Sequence, residues 1–308
     1  MRYLKWVEPN FRCTVVDTGG NRFEKLLFRA SSEQELKALL DRKLLNADKI
    51  EEYSFSDWLE RARKETKLAK KAKNKDYDYN QKLWTEVKQF LFLLSNNRCG
   101  YCETKVRVGF SGHIEHYRPK KKVEEDSKHP GYYWLAYDVD NYVPCCENCN
   151  SARGKKNHFP LARKSVRART PLNAAKEKPL LLHPFKDDPS KHLIFLGPEG
   201  GKEFGQVKGV TERGKASVKV YNLNRGDLVL ERRTVYTTIK QRLELAKTLP
   251  AVRQMIIDEF KSGETDYVIV FKPVIVKWFA EIELYERAEI KKRELALRAL
   301  EKEKKLFT

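Results

Sequence analysis

Two Cys-x-x-Cys pairs, Cys99-Gly-Tyr-Cys102 and Cys146-Glu-Asn-Cys149, stand 43 residues apart. Two residues between cysteines let both sulfurs turn toward one ion, and two such knuckles complete a tetrahedral thiolate set for Zn²⁺. A closed four-sulfur site leaves no coordination position open. Its expected work is therefore to fold the segment between the knuckles rather than to catalyse. Gly100 helps the first turn tighten. A thioredoxin-like redox reading accounts for only one pair at a time and has no βαβ context on either side. Cys145 adjoins Cys146 but breaks the two-residue spacing to Cys149, so Cys145 and the distant Cys13 read as ordinary buried thiols.

Inside and beside this loop lie His113-Ile-Glu115-His116, Arg118-Pro119-Lys120, Asp140-Asn141 ahead of Pro144, and Asn150 directly after Cys149. An imidazole near its free pKa can take a proton from water, and carboxylate and amide oxygens suit a hard ion such as Mg²⁺ or Mn²⁺. Together these residues suggest hydrolysis of phosphodiesters, work that a zinc-only binding module does not need. Neighbours in a regular strand face opposite ways, so Glu115 and His116 can share a site only where the strand ends or bulges; Pro119 marks such an end. His113 could touch metal or phosphate, or be a satisfied partly buried residue. His158 could approach a phosphate, or only dock its loop. Asn141 could cap a turn, yet it stands just ahead of the second knuckle. His129, His183 and His192 receive no role.

The chain has 308 residues with 62 Lys plus Arg against 43 Asp plus Glu, a formal net charge of +19. That excess favours a polyanionic partner. The 14 Tyr, 15 Phe and 5 Trp supply enough bulk for a core and exclude global disorder. Tyr132, Tyr133, Trp134 and Tyr137 are expected to fill the small interior around the zinc rather than to stack on bases. Arg118, Lys120, Lys121 and Lys122, with the acid-free basic run after Ser151, form the expected phosphate surface, Lys155 and Lys156 foremost. No stretch approaches the roughly 18 apolar residues of a membrane span, and the opening Met-Arg-Tyr-Leu-Lys-Trp lacks the apolar centre of a secretory signal. The expectation is a cytoplasmic chain without membrane contact.

The elements that must position these groups fall into three regions: 1–80, 81–161 and 162–308. In the first, Ser32 and Glu35 suggest a capping box ahead of a helix carrying Leu36, Leu39, Leu40 and Leu44. From Arg61 to Lys75 the chain reads as a solvated basic helix or a mobile segment, with no long apolar face. Asn80 should cap a helix through Leu83, Val87, Phe90, Leu91 and Leu94 that delivers the chain to Cys99. Prolines from Pro160 to Pro189 punctuate a loop-rich connector. Strands are expected at 192–196 and 204–210, then a helix from about Arg225 to Lys247 stopped by Pro250, and a charge-laced helix from about Ile282 to Leu306. The fold class is α+β.

The order CxxC, acid-His, Asn, CxxC-Asn resembles the four-cysteine branch of the HNH, or ββα-metal, endonucleases. Within it, HIEHYRPK, YYWLAYDVDNYVPCCENCNSARGKKNHFPL, LLLHPF and YNLNRGDLVLERR resemble the PtuB-like HNH subunits of Septu anti-phage systems, also found beside some retrons. The match covers about Leu83 to Arg233. It implies a zinc-stapled ββα-metal core in which His116 is the general base, Glu115 and Asn150 hold the catalytic Mg²⁺ or Mn²⁺, and Asn141 holds the loop and orients the His116 backbone. Glu115 stands where many relatives carry Asp, and Asn150 where many carry His. The implied substrate is DNA; RNA such as tRNA, or binding without cleavage, are the alternatives. The resemblance also implies an ABC-type ATPase partner, a separate chain because no GxxxxGK[ST] loop occurs here.

Overall fold

The computed structural model describes residues 14–16, 22–24, 49–51, 55–73, 77–88, 91–92, 95–106, 112–151, 154–248, 250–262, 270 and 273–278. The expected helix around Leu36 to Leu44, the C-terminal helix from Ile282, and Phe90 and Leu94 lie outside these residues. The chain divides into two compact units, one up to Val229 and one from Leu230.

In the first unit β1 (Thr14–Val16), β2 (Arg22–Glu24) and β3 (Lys49–Glu51) form an antiparallel sheet in the order β2–β1–β3, with Val15 opposite both Phe23 and Ile50. Helix α1 (Phe55–Ala72) follows. Its basic stretch does have a buried stripe, contrary to the sequence expectation: Trp58, Ala62 and Ala69 are buried at helical spacing. Trp58, just ahead of the basic run, supplies the bulk that the run lacks. Its indole N–H donates to the Leu83 carbonyl at 2.9 Å, and Arg61 grips Glu86 with two bonds of 2.9 and 2.8 Å. Helix α2 (Gln81–Glu86) starts where expected, with the Asn80 side chain accepting from the Lys82 N–H. Leu83, Val87 and Leu91 then join Trp58, Tyr79, Tyr137 and Tyr142 in one core.

Strand β4 (Gly112–His116) pairs antiparallel with β5 (Tyr142–Cys146) in unbroken register, Gly112 opposite Cys146 and His116 opposite Tyr142. There is no bulge; β4 simply ends at His116. Strand β5 runs directly into the short helix α3 (Glu147–Asn150). Gly131 keeps the intervening loop in place: it has φ +87°, and a Cβ there would lie 2.4 Å from Lys121 and 2.6 Å from Lys120 backbone atoms. The neighbouring Tyr132 N–H donates to the Pro119 carbonyl at 2.7 Å. Tyr132 and Trp134 are buried and pack on each other, and Tyr132 also packs on Phe159, the packing role expected of them.

The proline-rich connector forms short turns, after which β6 (Leu193–Phe195) and β7 (Val207–Gly209) pair as an antiparallel hairpin inside the expected windows. Helix α4 (Glu212–Val220) is capped by Thr211 and delivers Tyr221 onto Tyr101 of the first knuckle, rings 4.1 Å apart. The long helix α5 (Gly226–Thr248) buries Leu228, Ile239, Leu243 and Ala246, and Pro250 opens α6 (Pro250–Ser262). Among the described residues no helix is long and apolar enough to cross a membrane.

His129 and His183, given no role by the sequence, are buried staples. In each ring Nδ1 accepts a backbone N–H, from Gly131 and from Phe185, so Nε2 carries the proton and donates to the carbonyl of Ala168 or of Asp140. Burial, and then the Lys186 charge, push His183 down to about 3, and burial lowers His129. His183 is thus neutral in the fold where an unfolded chain binds a proton. Its effect is nil above about 6.5, and stability falls as pH drops from there toward about 3. Urea unfolding between about pH 7 and about pH 4 should show this loss, and His183→Gln should flatten the slope while lowering stability at neutral pH.

Candidate functional site

The sulfurs of Cys99, Cys102, Cys146 and Cys149 all lie within 4.8 Å of one another, and all four residues are buried. Cys102 Sγ and Cys146 Sγ are 3.7 Å apart. A tetrahedral ion with bonds of about 2.3 Å sets its sulfurs about 3.8 Å apart, so this set can hold a metal such as zinc. The knuckles meet because the Gly100 N–H donates to the Pro144 carbonyl at 2.8 Å. A Cβ on Gly100 would come 2.9 Å from Val143, so close approach to β5 is what calls for glycine here. Cys145, opposite His113 in the register, is buried outside the cluster. Among the described residues no second group of His, Cys, Asp or Glu gathers in this way.

Sequence reasoning missed Arg225. Its guanidinium directs Nη2 at Cys102 Sγ, 3.5 Å away, and Nη1 at Cys149 Sγ, 3.8 Å away. Four thiolates on a divalent ion leave net negative charge, and a half-buried cation beside them offsets it. Nothing in the spacing of the cysteines points to a residue so far along the chain.

At the end of β4, His116 and Glu115 are both buried and both border one cleft of about 660 Å³. His113, Asn150, Lys120 and Lys156 border it too, as do Trp84, Tyr79 and Lys88 from the α2 region. The strand end is what allows the neighbours Glu115 and His116 to share it. The His116 ring is wedged edge-on between Trp84 and Tyr142, with ring centres 5.3 and 5.2 Å away. Its Nε2 lies 2.9 Å from the Ala136 carbonyl, which can only accept, so Nε2 carries the proton and Nδ1 keeps its lone pair. Burial, and next the Lys120 charge, hold His116 well below its ordinary range. It is a neutral imidazole, the form that can take a proton.

Asn141 does not border this cleft. Its amide oxygen accepts from the Arg118 N–H at 2.7 Å, and its amide N–H groups donate to the carbonyls of Arg118 and Leu135 at 3.0 and 3.1 Å. The Asn141 carbonyl also accepts from the Tyr117 N–H. Asn141 thereby clamps the turn after His116 to the turn that supplies the Ala136 carbonyl.

One expected phosphate contact needs correction, and a second is already engaged within the fold. Lys155 is fully buried: its ammonium donates to Glu115 Oε1 at 2.7 Å and to the His116 carbonyl at 2.8 Å. The Lys155 N–H is bonded to the Cys149 carbonyl, which turns its side chain under α3 and away from solvent. Arg118 pairs with the buried Glu177 at 3.0 Å and lies against the Phe159 ring. Both charges are paired inside the fold; Lys155 reaches no surface, while Arg118 keeps 19% of its side chain exposed. Lys156 is exposed at the cleft rim, and Lys120 is partly buried within it. His113 is exposed on the rim. His158 pairs with Glu125 at 2.9 Å and docks its loop.

No family model matches the chain, and no solved structure matches it. A protein named Septu protein PtuB, from Bacillus mycoides (strain KBAB4), is 38% identical over 186 residues, which are 58% of this chain and 61% of that protein. The chain is homologous to PtuB. A second PtuB, from Bacillus thuringiensis, is 28% identical over 52% of each chain. A Septu protein PtuA from Bacillus mycoides (strain KBAB4) is 32% identical over 156 residues, 49% of this chain but 21% of PtuA. The chain thus spans 61% and 52% of the PtuB proteins it matches.

Two outcomes follow from the burial. Lys155→Met leaves Glu115 buried without its cation and should cost about 3–5 kcal/mol in urea unfolding. The double variant Lys155→Met/Glu115→Leu should recover most of that loss, a recovery that additive effects would not give. Cys102→Ser should lose the bound metal, read by elemental analysis, together with cooperative unfolding.

Proposed function

We propose that the chain is a zinc-stapled HNH endonuclease that hydrolyses DNA with a second, divalent metal ion, as the nuclease of a Septu-like anti-phage system in the cytoplasm. The observation that carries this reading is the neutral His116, with Nε2 fixed by the Ala136 carbonyl and Nδ1 left as proton acceptor beside a cleft rich in lysine. The order of β4, β5 and α3, with residues 81–161 as the nuclease core, supports a ββα-metal reading.

In the reaction His116 Nδ1 accepts a proton from water as the water oxygen bonds to phosphorus. One phosphorus–oxygen ester bond breaks, and the leaving oxygen takes up a proton from solvent. The balance is one water added across one diester bond. Asn141 keeps the His116 backbone in place, and Lys156 with Lys120 draws the phosphate backbone in. Glu115 and Asn150 offer oxygen donors at the same cleft, and Glu115 keeps Oε2 beyond its bond to Lys155; these fit a hard ion such as Mg²⁺ or Mn²⁺. When bound, that ion would offset charge on the leaving oxygen.

The partner proposed is a PtuA-like ATPase. The similarity of this chain to both a PtuB and a stretch of a PtuA supports the pairing.

Supercoiled plasmid incubated with the purified chain and Mg²⁺ or Mn²⁺ should be nicked or linearised. His116→Ala should lower the rate by about 10²- to 10⁴-fold with zinc content unchanged. Cleavage that survives His116→Ala would place the active site elsewhere. Cleavage of tRNA in preference to plasmid would make the enzyme a ribonuclease, and silence on both, with a PtuA-like protein added, would leave a binding module.

A further inference from the structure

The lone pair on His116 Nδ1, the nitrogen that must receive the proton from water, is already occupied. Lys120 Nζ lies 3.4 Å from it, and an ammonium can only donate. In the free protein the proposed base is therefore tied up by a cation.

That cation makes no close ion pair. Among the described residues no carboxylate oxygen comes within 4.0 Å of Lys120, whereas Lys155, behind the same site, is answered by Glu115 at 2.7 Å. Lys120 instead sits over the rings of Trp84 at 4.8 Å and Tyr79 at 5.9 Å. Around it the cleft carries Lys88, Lys121, Lys122 and Lys156. The Glu115 charge acts on Lys120 from beyond 4.0 Å and is itself bonded to Lys155, so an ammonium partly withdrawn from water still has room for a nearer anion. The backbone beneath it is pinned: the Tyr79 hydroxyl donates to the Lys120 carbonyl at 3.4 Å, and Gly131 packs against Lys120 and Lys121. Any response to a ligand falls to the side chain alone.

We propose that Lys120 is a substrate-operated latch on His116: a nonbridging oxygen of the phosphodiester to be cut draws the Lys120 ammonium from Nδ1 onto itself, and the vacated nitrogen receives the attacking water. This rests on the nuclease reading above. It makes Lys120 a catalytic residue that touches the reacting phosphate, distinct from the rim lysines that hold the backbone. It also couples the readiness of the base to the presence of a phosphate at the cutting position.

The test reads Nδ1 directly, by nitrogen NMR of the full chain labelled at histidine, with the His116 signals assigned by their loss in His116→Gln. In zinc-loaded protein without Mg²⁺ or Mn²⁺, adding a short DNA duplex should shift the His116 Nδ1 resonance. Lys120→Met should produce a shift in the free protein, and DNA should then move it no further by loss of the lysine. With metal, Lys120→Met should cut about a hundredfold more slowly at saturating DNA, beyond any change in Kd. Unchanged zinc content and unfolding midpoint show that the variant is folded. Equal Nδ1 resonances in free wild type and free Lys120→Met would overturn the latch, as would cleavage by Lys120→Met at the wild-type saturated rate. If Nδ1 responds to both DNA and Lys120→Met while nothing is cut with metal present, the latch stands and the nuclease reading falls.

Discussion

The gathering of four sulfurs is the constraint on which the site depends. Cys146 ends β5 and Cys149 lies on α3, while Cys99 and Cys102 come from a turn that follows the α2 region. Closing these around one ion fixes one end of a five-residue strand whose other end, Tyr142, stands opposite His116. In an unbroken antiparallel register no slip is tolerated, because a shift of one residue would turn His116 to the other face. The four-sulfur cluster thus sets where the imidazole stands without touching it. The Asn141 clamp and the Ala136 carbonyl then decide which ring nitrogen carries no proton.

The charges of this chain are sorted by depth. The net excess of +19 suggests a uniformly basic surface, yet several cations are consumed inside. Arg225 answers the thiolates, Arg118 answers Glu177, and Lys155 answers Glu115 while tying the His116 carbonyl to the loop after α3. A buried ion pair adds little net stability over apolar packing, but it is strongly directional, and removing one partner is costly. Its value here is positional: Lys155 binds the last two residues of β4 at once. Lys120, with no carboxylate oxygen within 4.0 Å among the described residues, and the exposed Lys156 face the cleft.

Much of this was legible in the residues themselves. The two CxxC pairs specify their own partners because the ligand spacing is a local property, and Cys146 rather than Cys145 could be chosen by counting. The Asn80 cap, the β6 and β7 windows and the helix break at Pro250 are local signals of the same kind. The end of β4 near Pro119 could be foreseen because a shared site for neighbouring residues demanded it. The apolar stripe of α1 was missed because Trp58 lies outside the basic run and the small Ala62 and Ala69 carry little signal.

The sequence by itself determined which residue types stand near one another along the chain: the sulfur set, the acid-His pair, the amides, and an excess of positive charge. Tertiary structure alone decided which of those charges are free. Lys155 and Lys156 are adjacent in the chain and chemically identical, yet one is buried against Glu115 and the other stands in solvent. Arg225 reaches sulfurs that precede it by 76 and 123 positions. Burial and long-range pairing depend on what the rest of the fold packs around a side chain, and a side chain's own identity does not carry that information.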